Sequence, residues 1–279
     1  MINFSRYIEH LKFKYSPRIA SWLIYLSTYR AQCDLKANGP IGVLVDNTVL
    51  AHATTHKTAW VSMGQELWGK HSIETGYLAR IPVHPVNTKV REYDEIVYLP
   101  GLIFLQKAGF LTLYSSAELY NEQFYQPLGR FRRCGYFDYN LFENVLLESI
   151  DDHMFSSLGS SWMRPPDPRE QLFQLLKKME AEDPEYASLV AVLGKKNSQD
   201  AWHIRTAEKY NLFCFLTMDF KLIKTLNAQR NSPRIQSLKT SVMTPAMLGK
   251  RLRLFPIAPH ILSYNNATFP VRNDFVCID

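Results

Sequence analysis

Four acidic residues follow apolar, strand-like stretches or open a helical stretch. Asp46 interrupts the aliphatic run VLVDNTVL, and Asp219 follows the run CFLTM. Glu118 comes shortly after LTLYS, and Asp200 opens the helical stretch that leads to Asp219. The carboxyl ends of parallel strands converge at one crevice, so a single crevice could collect all four carboxylates. We therefore expect Asp46, Glu118, Asp200 and Asp219 to lie together.

A cluster of carboxylates has a defined chemistry. Carboxylates that are forced together repel one another and hold protons unless a cation neutralises them. Oxygen ligands favour Mg²⁺ or Mn²⁺ over softer metals. A divalent ion held in this way polarises a phosphoryl oxygen, lowers the pKa of a bound water and orients that water for in-line attack. The four acids therefore predict metal-dependent hydrolysis of a phosphodiester.

Each acid also has a purely structural interpretation, because Asp and Glu are frequent near helix starts. Asp200 lies where a helix N-cap is expected, and Glu118 fits a solvated residue of a first helical turn equally well. Asp46 and Asp219 are harder to explain in this way, since an acid within or against a buried strand is costly without a partner. The prediction of a metal site depends mainly on those two residues.

The elements that must position these acids follow from the hydrophobic pattern. Strands are predicted at 41–50, 110–114, 213–217 and 238–243, and helices at 1–32, 99–107, 141–154, 168–180, 184–193, 200–210 and 244–252. Ser115 or Ser116 caps a further helix that carries Glu118 and Glu122. Residues 51–90 indicate loops, with a hairpin as an alternative. Strands, acids and helices alternate as a parallel α/β sheet requires.

The bulk composition favours one enlarged domain that acts on a polyanion. The chain has 279 residues, of which 46% are hydrophobic, and this is enough apolar material for a sizeable core. Lys and Arg outnumber Asp and Glu by 32 to 26, which gives a net charge of +6. A basic excess favours phosphate-bearing partners. The expected segments are a helical N-terminal extension at 1–39, a main domain at 40–255 with insertions near 51–95 and 124–197, and a C-terminal tail at 256–279.

The cysteines and the N-terminal region indicate a cytoplasmic protein. Cys33, Cys134, Cys214 and Cys277 lie far apart without metal-like spacing, so reduced thiols are expected. The longest apolar stretch near the N-terminus, 19–26, is too short to span a membrane and has no cleavage-site pattern. We expect neither export nor membrane anchoring.

Four segments of the chain resemble the conserved motifs of PIN-domain nucleases. In chain order they are GVLVDNTVLAHA, LTLYSSAELYNE, SQDAWHIRTAEKYNLFCFLTMDFKL and TSVMTPAMLGKRL. The third is the most specific, because an Asp that starts a helix precedes a strand ending in Thr-x-Asp. The resemblance covers roughly residues 40–255. Compared with small toxin-type members of that family, this chain is enlarged by its two insertions.

The resemblance implies a Rossmann-like three-layer α/β/α sandwich with a mostly parallel central sheet, here with a helical N-terminal segment and insertions. It implies a Mg²⁺ or Mn²⁺ site in which Asp46, Glu118, Asp200 and Asp219 act as metal ligands or position the water. Asn47 and Thr217 correspond to supporting polar residues. Family members place Ser or Thr directly after the first Asp, whereas Asn47 comes first here and Thr48 second.

The implied reaction is endonucleolytic cleavage of RNA. Many relatives are toxins of bacterial toxin-antitoxin pairs, so a protein inhibitor is expected if this chain is a toxin, and a homodimer is expected by analogy. Basic residues that could contact single-stranded RNA are Arg130, Arg132, Arg133, Arg205 and Lys221, although a solvated basic face explains the arginine cluster equally well.

Other residues with chemical potential have simpler interpretations. His203 fits a surface position on its helix, Trp60 and Trp68 fit packing in the core or at an interface, and the pair His52 and His56 lacks the Glu of a zinc protease.

Two further functions stay open alongside the endoribonuclease. The chain has no P-loop, no GxGxxG fingerprint and no GxSxG elbow, so NTP hydrolysis, dinucleotide binding and α/β-hydrolase chemistry lack support. The reversed order of Asn47 and Thr48 and the long insertions favour a non-catalytic RNA-binding or scaffold protein. A structure-specific DNA nuclease is the third alternative.

Overall fold

Eight strands form two sheets in the computed structural model, which describes residues 4–84, 90–125, 135–150 and 167–275. In chain order the strands are β1 (Ile41–Val45), β2 (Thr54–Trp68), β3 (His71–Pro82), β4 (Leu111–Ser115), β5 (Tyr139–Asn140), β6 (Glu148–Ser149), β7 (Cys214–Leu216) and β8 (Ser241–Met243). β1, β4, β6, β7 and β8 form a five-stranded sheet, while β2, β3 and β5 form a smaller one.

Eleven α-helices surround these sheets in the described ranges. They are α1 (Phe4–Asn38), α2 (Asn47–His52), α3 (Arg91–Ile96), α4 (Leu99–Lys107), α5 (Ala117–Tyr125), α6 (Pro168–Glu182), α7 (Pro184–Leu193), α8 (Ser198–Lys209), α9 (Phe220–Ala228), α10 (Pro233–Gln236) and α11 (Pro245–Arg251). Short 3₁₀ turns occupy Lys195–Asn197 and Pro259–Leu262.

The large sheet is parallel throughout, in the order β6-β4-β1-β7-β8. The chain starts at the central strand β1, builds one half through β4 and β6, and then crosses to build the other half through β7 and β8. The direction of winding therefore reverses between β1 and β7. In doubly wound sheets the crevice for a ligand lies at this reversal, outside the carboxyl ends of the two strands.

Alternate residues of the central strands fill two separate cores. Val43 and Val45 face one side of the sheet, where they pack with residues of α1, α4 and α11. Leu44 and Phe215 face the other side, where α7, α8 and α9 cover them. Side chains alternate between the faces of a strand, so a strand with helices on both sides is apolar along its whole length. The expected α/β class and three-layer arrangement are confirmed.

Helix α1 belongs to the first of these cores. Ala20, Ala31 and Leu35 are buried against the body of the protein, and the Ser27 hydroxyl donates a hydrogen bond to the carbonyl of Phe255 at 2.6 Å. The helix runs six residues beyond the predicted end at residue 32. None of the helices in the described ranges has both the length and the apolar composition that crossing a membrane requires.

The segment after β1 is a long antiparallel hairpin, formed by β2 and β3. Its pairs run from His56 opposite Pro82 to Trp68 opposite His71. Gly76 has a specific role here, because a Cβ at that position would come within 2.6 Å of the Trp60 ring. Loops were the first expectation for this segment, and the hairpin alternative is the one observed. Trp60 and Trp68 are 53% and 77% exposed, so they do not lie in the core, and packing at an interface is the alternative that stays a prediction.

Residues 141–150, which were expected to start a helix, form turns and the short strand β6 instead. The Asn140 side chain accepts a hydrogen bond from the Phe142 backbone N–H at 2.8 Å, which favours a turn. Asn144 has a φ of 59°, in the left-handed region that interrupts a right-handed helix. Leu141, Phe142 and Val145 are nonetheless buried, so their helix-like spacing reflects core packing. Residues 151–154 lie outside the described ranges.

Arg80 joins the hairpin to the C-terminal segment. This arginine is 3% exposed, and its guanidinium donates hydrogen bonds to the carbonyls of Phe137, Ser263 and Asn265 at 2.8, 3.0 and 2.7 Å. The ring of Phe269 lies 4.7 Å from the guanidinium carbon. The planar group therefore satisfies three carbonyls that a lysine ammonium on a single flexible stem could not reach together.

We predict that Arg80→Lys lowers the free energy of unfolding by at least about 2 kcal/mol, because buried carbonyls lose their donors. Urea unfolding followed by circular dichroism measures the change. Arg253→Lys is the matched control, since Arg253 is exposed and lies 3.8 Å from Asp34 in a surface ion pair that contributes less than about 1 kcal/mol. Equal stability of the two variants would show that the Arg80 contacts contribute little.

Candidate functional site

Asp46 lies directly after the central strand, at the reversal point of the sheet. Its backbone N–H donates to the carbonyl of Leu216 at 2.9 Å, which continues the pairing of β1 with β7. The side chain is 8% exposed and does not cap α2. Instead, its Oδ2 accepts hydrogen bonds from the hydroxyls of Thr48 and Thr217, both at 2.6 Å. Two short hydrogen bonds thus fix the orientation of this carboxylate.

Asp219 lies three residues after the end of β7 and directly precedes α9. Its Oδ1 accepts hydrogen bonds from the backbone N–H groups of Lys221 at 2.7 Å and Leu222 at 3.1 Å, so it is the N-cap of this helix. The Asp219 N–H in turn donates to the Thr217 hydroxyl oxygen at 2.9 Å. Thr217 therefore contacts the carboxylate of Asp46 and the backbone of Asp219.

Thr48 is a supporting residue that the sequence did not reveal. Besides donating to Asp46, its hydroxyl accepts a hydrogen bond from the Met218 N–H at 3.0 Å. It also lies 3.4 Å from the hydroxyl of Thr217. Thr48 therefore fastens the start of α2 to the end of β7. The signal for it was the hydroxyl residue two positions after Asp46.

Asn47 contacts the carboxylate of Glu122 rather than that of the adjacent Asp46. Its Nδ2 donates to the carbonyl of Leu119 at 2.8 Å and to Glu122 Oε2 at 2.7 Å. Both partners belong to α5. Asn47 therefore orients Glu122, which was not among the predicted site residues. Glu122 follows Glu118 by four positions, and residues with this spacing occupy the same face of a helix.

Glu118 is 3% exposed, which rules out a solvated residue in the first turn of α5. Its Oε2 has no hydrogen-bond partner within the described ranges. Burying a carboxylate oxygen without a hydrogen-bond donor or a cation beside it is costly.

Asp200 is not the cap of its helix, because α8 begins at Ser198 and its N-cap is Asn197. Burial is the largest cause that raises the pKa of the Asp200 carboxyl from 3.8 to about 6. The negative charges of Asp46, Asp219 and Glu122 raise this pKa as well. Three carboxyl groups therefore act on Asp200 and, together with burial, disfavour its ionisation.

His203 lies one turn after Asp200 and is 2% exposed, so its expected place on the surface is wrong. Its ring lies 5.8 Å from that of Phe215, on the face of the sheet that α8 covers. The charge of His203 lowers the pKa of Asp200, opposing the carboxylates. In the described part of the chain its Nδ1 has no hydrogen-bond partner.

The carboxylate oxygens in this region are of the ligand type that suits a hard cation. Carboxylate oxygens are the ligands that Mg²⁺ and Mn²⁺ prefer, and a cation would relieve the repulsion that raises the pKa of Asp200. Asp46, Asp200, Asp219 and Glu122 are the residues that could hold it, together with the unpartnered oxygen of Glu118. However, no group of three or more Asp, Glu, His or Cys side chains in the described ranges has the spacing to hold a metal ion as it stands.

The basic residues expected to contact RNA have different surroundings. Lys221 is exposed in the first turn of α9, two positions after Asp219. Arg205 is bound in ion pairs with Asp183 at 2.7 Å and Glu208 at 3.1 Å. The cluster of Arg130, Arg132 and Arg133 lies outside the described residues. Lys221 is thus the predicted contact that lies exposed beside the acids.

No protein-family model, no curated protein and no solved structure matches this chain. The function must therefore be inferred from the geometry of these residues and from the resemblance of the four segments quoted above.

The pH dependence of stability provides a test of the crowding around Asp200. A carboxyl whose folded pKa is raised to about 6 favours folding only while it is protonated. This contribution is complete below the unfolded value of 3.8 and is lost as the pH rises through about 6. We predict that Asp200→Asn stabilises the metal-free protein at about pH 8 by up to about 3 kcal/mol and has little effect near pH 4. Urea unfolding at both pH values measures the difference.

Asp94→Asn is the control for this comparison, because Asp94 is exposed on α3. Its effect should stay within about 0.5 kcal/mol at both pH values. A gain at pH 8 that is no larger for Asp200→Asn than for the control would contradict the crowding of carboxyl groups at this site.

Proposed function

We propose that this chain is a metal-dependent endoribonuclease with a PIN-like domain. One observation carries the proposal: Asp46 and Asp219 follow the two strands at the reversal point of a parallel sheet, and Thr217 is hydrogen-bonded to both residues. Ligand crevices of doubly wound folds lie at this place. We name Asp46, Glu122, Asp200 and Asp219 the acidic cluster, because the first, second and fourth raise the pKa of the third.

The residues of the acidic cluster would hold Mg²⁺ or Mn²⁺ with Glu118 as a further candidate ligand. Such an ion, when bound, polarises the phosphate and lowers the pKa of the attacking water. Thr48 and Thr217 hold the Asp46 carboxylate in place, and the helix start at α9 holds that of Asp219. Without a cation the pKa of the Asp200 carboxyl is raised to about 6, and a cation bound beside it would lower this pKa.

RNA is the substrate that the resemblance implies, and the charge of the chain supports a polyanion. The net charge is +6, and Lys221 is exposed beside Asp219, where it could contact a phosphate of the substrate. A single strand presents its backbone to a crevice more freely than a duplex does. The reduced cysteines Cys33 and Cys214 fit a cytoplasmic enzyme.

A non-catalytic RNA-binding or scaffold protein is the second candidate. It is favoured by the spacing of the acids, which form no three-residue metal group in the described ranges. A structure-specific DNA nuclease differs from the first proposal only in substrate, so competition between RNA and DNA in the same assay separates the two.

The decisive variants are Asp46→Asn and Asp219→Asn, because asparagine keeps the hydrogen bonds and removes the charge. An amide oxygen at position 46 can still accept from Thr48 and Thr217, and Asn is as good an N-cap as Asp at position 219. We predict that each variant lowers kcat/KM for a labelled single-stranded RNA by at least about 100-fold in Mg²⁺ or Mn²⁺. EDTA should abolish cleavage by the unmodified protein.

Asp94→Asn is the matched control and should cleave at the normal rate. RNA binding without cleavage in either metal would support the scaffold function. Cleavage that survives both site variants would place the chemistry elsewhere in the chain.

A second comparison decides which glutamate of α5 takes part. Glu122 is the one that Asn47 orients and that acts on Asp200, so we predict that Glu122→Gln lowers kcat/KM by about 10-fold to 100-fold. Glu118→Gln should have the smaller effect on cleavage, because Glu118 has no hydrogen-bond partner that orients its Oε2 in the described ranges. Both variants are measured in the same RNA assay and by urea unfolding. The reverse order of activities would return the ligand role to Glu118.

A further inference from the structure

The outer face of α1 carries a line of large apolar side chains. Ile8, Tyr15, Ile19, Trp22, Leu26 and Tyr29 are spaced 7, 4, 3, 4 and 3 residues apart. Their exposed fractions run from 37% for Ile8 to 60% for Trp22. We name these six residues the α1 stripe. Alternating steps of three and four residues are the repeat by which two helices pack along their whole length.

The opposite face of α1 is already used within the chain. Ala20, Ala31 and Leu35 are fully or almost fully buried in the core. Thr28, on the same inner face, has no exposed surface. The stripe is therefore a second apolar face of α1, separate from the face that packs against the core of the same chain. A row of aromatic and aliphatic side chains exposed on a long helix is typical of an interaction surface.

We propose that the α1 stripe joins two copies of this chain, which pair through their α1 helices in antiparallel orientation. The same stripe on both copies gives an isologous, two-fold contact that closes on itself. Each large side chain exposes roughly half of about 200 Å². The stripe and the adjacent Tyr25 would thus bury up to roughly 1,400 Å² over the two copies, which exceeds the roughly 1,000 Å² expected of a specific interface.

The charges next to the stripe favour the antiparallel orientation. Lys12 lies seven positions before Ile19, so it occupies the same line. In a parallel pair each Lys12 would face its own counterpart, and like charges would be buried together. In the antiparallel pair, with Ile19 opposite Trp22 of the partner subunit, Lys12 lies against Tyr29 of the partner subunit instead. A lysine over a tyrosine ring is a favourable contact.

The same alignment brings opposite charges together at both ends of the interface. Glu9, which already accepts a hydrogen bond from Lys12 of its own helix at 2.6 Å, would also approach Arg30 of the partner subunit, and the two-fold axis would repeat this pair. The helix dipoles also oppose each other in this orientation. The occupant that best complements the stripe is therefore a second copy of the stripe.

Sedimentation equilibrium of the full chain tests the proposal at protein concentrations from about 1 to about 100 μM, the range expected for an interface of this size. We expect a dimer whose dissociation constant rises at least about tenfold in Trp22→Ser and in Leu26→Lys, because large central side chains carry most of the binding energy. Trp68→Ser is the matched control, since Trp68 is 77% exposed at the hairpin and should not affect the mass. Circular dichroism confirms that each variant is folded.

The orientation is tested with a short bis-maleimide cross-linker and introduced cysteines in a Cys33→Ser background. The antiparallel pair predicts a covalent dimer for the double variant Glu9→Cys with Arg30→Cys, and much less for either single variant. A parallel pair would instead cross-link the protein that retains native Cys33, through Cys33 on both copies.

A monomer at every concentration, or a dimer lost in Trp68→Ser, would overturn the proposal. A monomer that binds anionic lipid vesicles through Trp22 would assign the stripe to a membrane surface.

Discussion

The hydroxyl of Thr217 is the contact on which the candidate site depends. It donates to the carboxylate that follows β1 and accepts from the backbone of the residue that ends the loop after β7. This is possible because β1 and β7 are neighbours, with Val45 opposite Leu216, so the chain leaves both strands at the same height. The two acids therefore share one hydrogen-bond network. The helices α2 and α9 start directly after these two acids.

The sequence predicted those elements whose boundaries depend on local interactions. The helix α4 begins and ends at the predicted residues, and α7 begins after Asp183, which accepts hydrogen bonds from the N–H groups of its first turn. Thr244 caps α11 as expected. Local spacing was misleading where tertiary contacts decide the structure. Residues 141–150 have helix-like apolar spacing because they fill the core beside β4, and the alternation of the hairpin is obscured by glycines and by side chains that are exposed on both faces.

For the site, the sequence could identify acids that follow strands but not their partners across the fold. Asn47 and Glu122 are 75 positions apart and meet only because α2 packs beside α5. Thr48 is close to Asp46 in sequence, but its contact with Met218 requires the pairing of β1 with β7. The burial of His203 follows from the orientation of α8 over the sheet, which its polar sequence does not reveal. The types of residue at the strand ends were enough to predict candidate site residues. The contacts between those residues could be known only from the fold.

The attachment of the hairpin has a mechanical consequence. Arg80 clamps β3 to the C-terminal segment, and β5 pairs with the first residues of β2, so the hairpin is held firmly at its base. The turn at Gly69 lies eleven residues from Arg80, or roughly 35 Å at the rise of a strand. Because the hairpin is held at its base, a small rotation there produces a displacement that grows with distance along the hairpin. A slight change of twist near Arg80 would therefore displace the tip of the hairpin further than the residues next to Arg80.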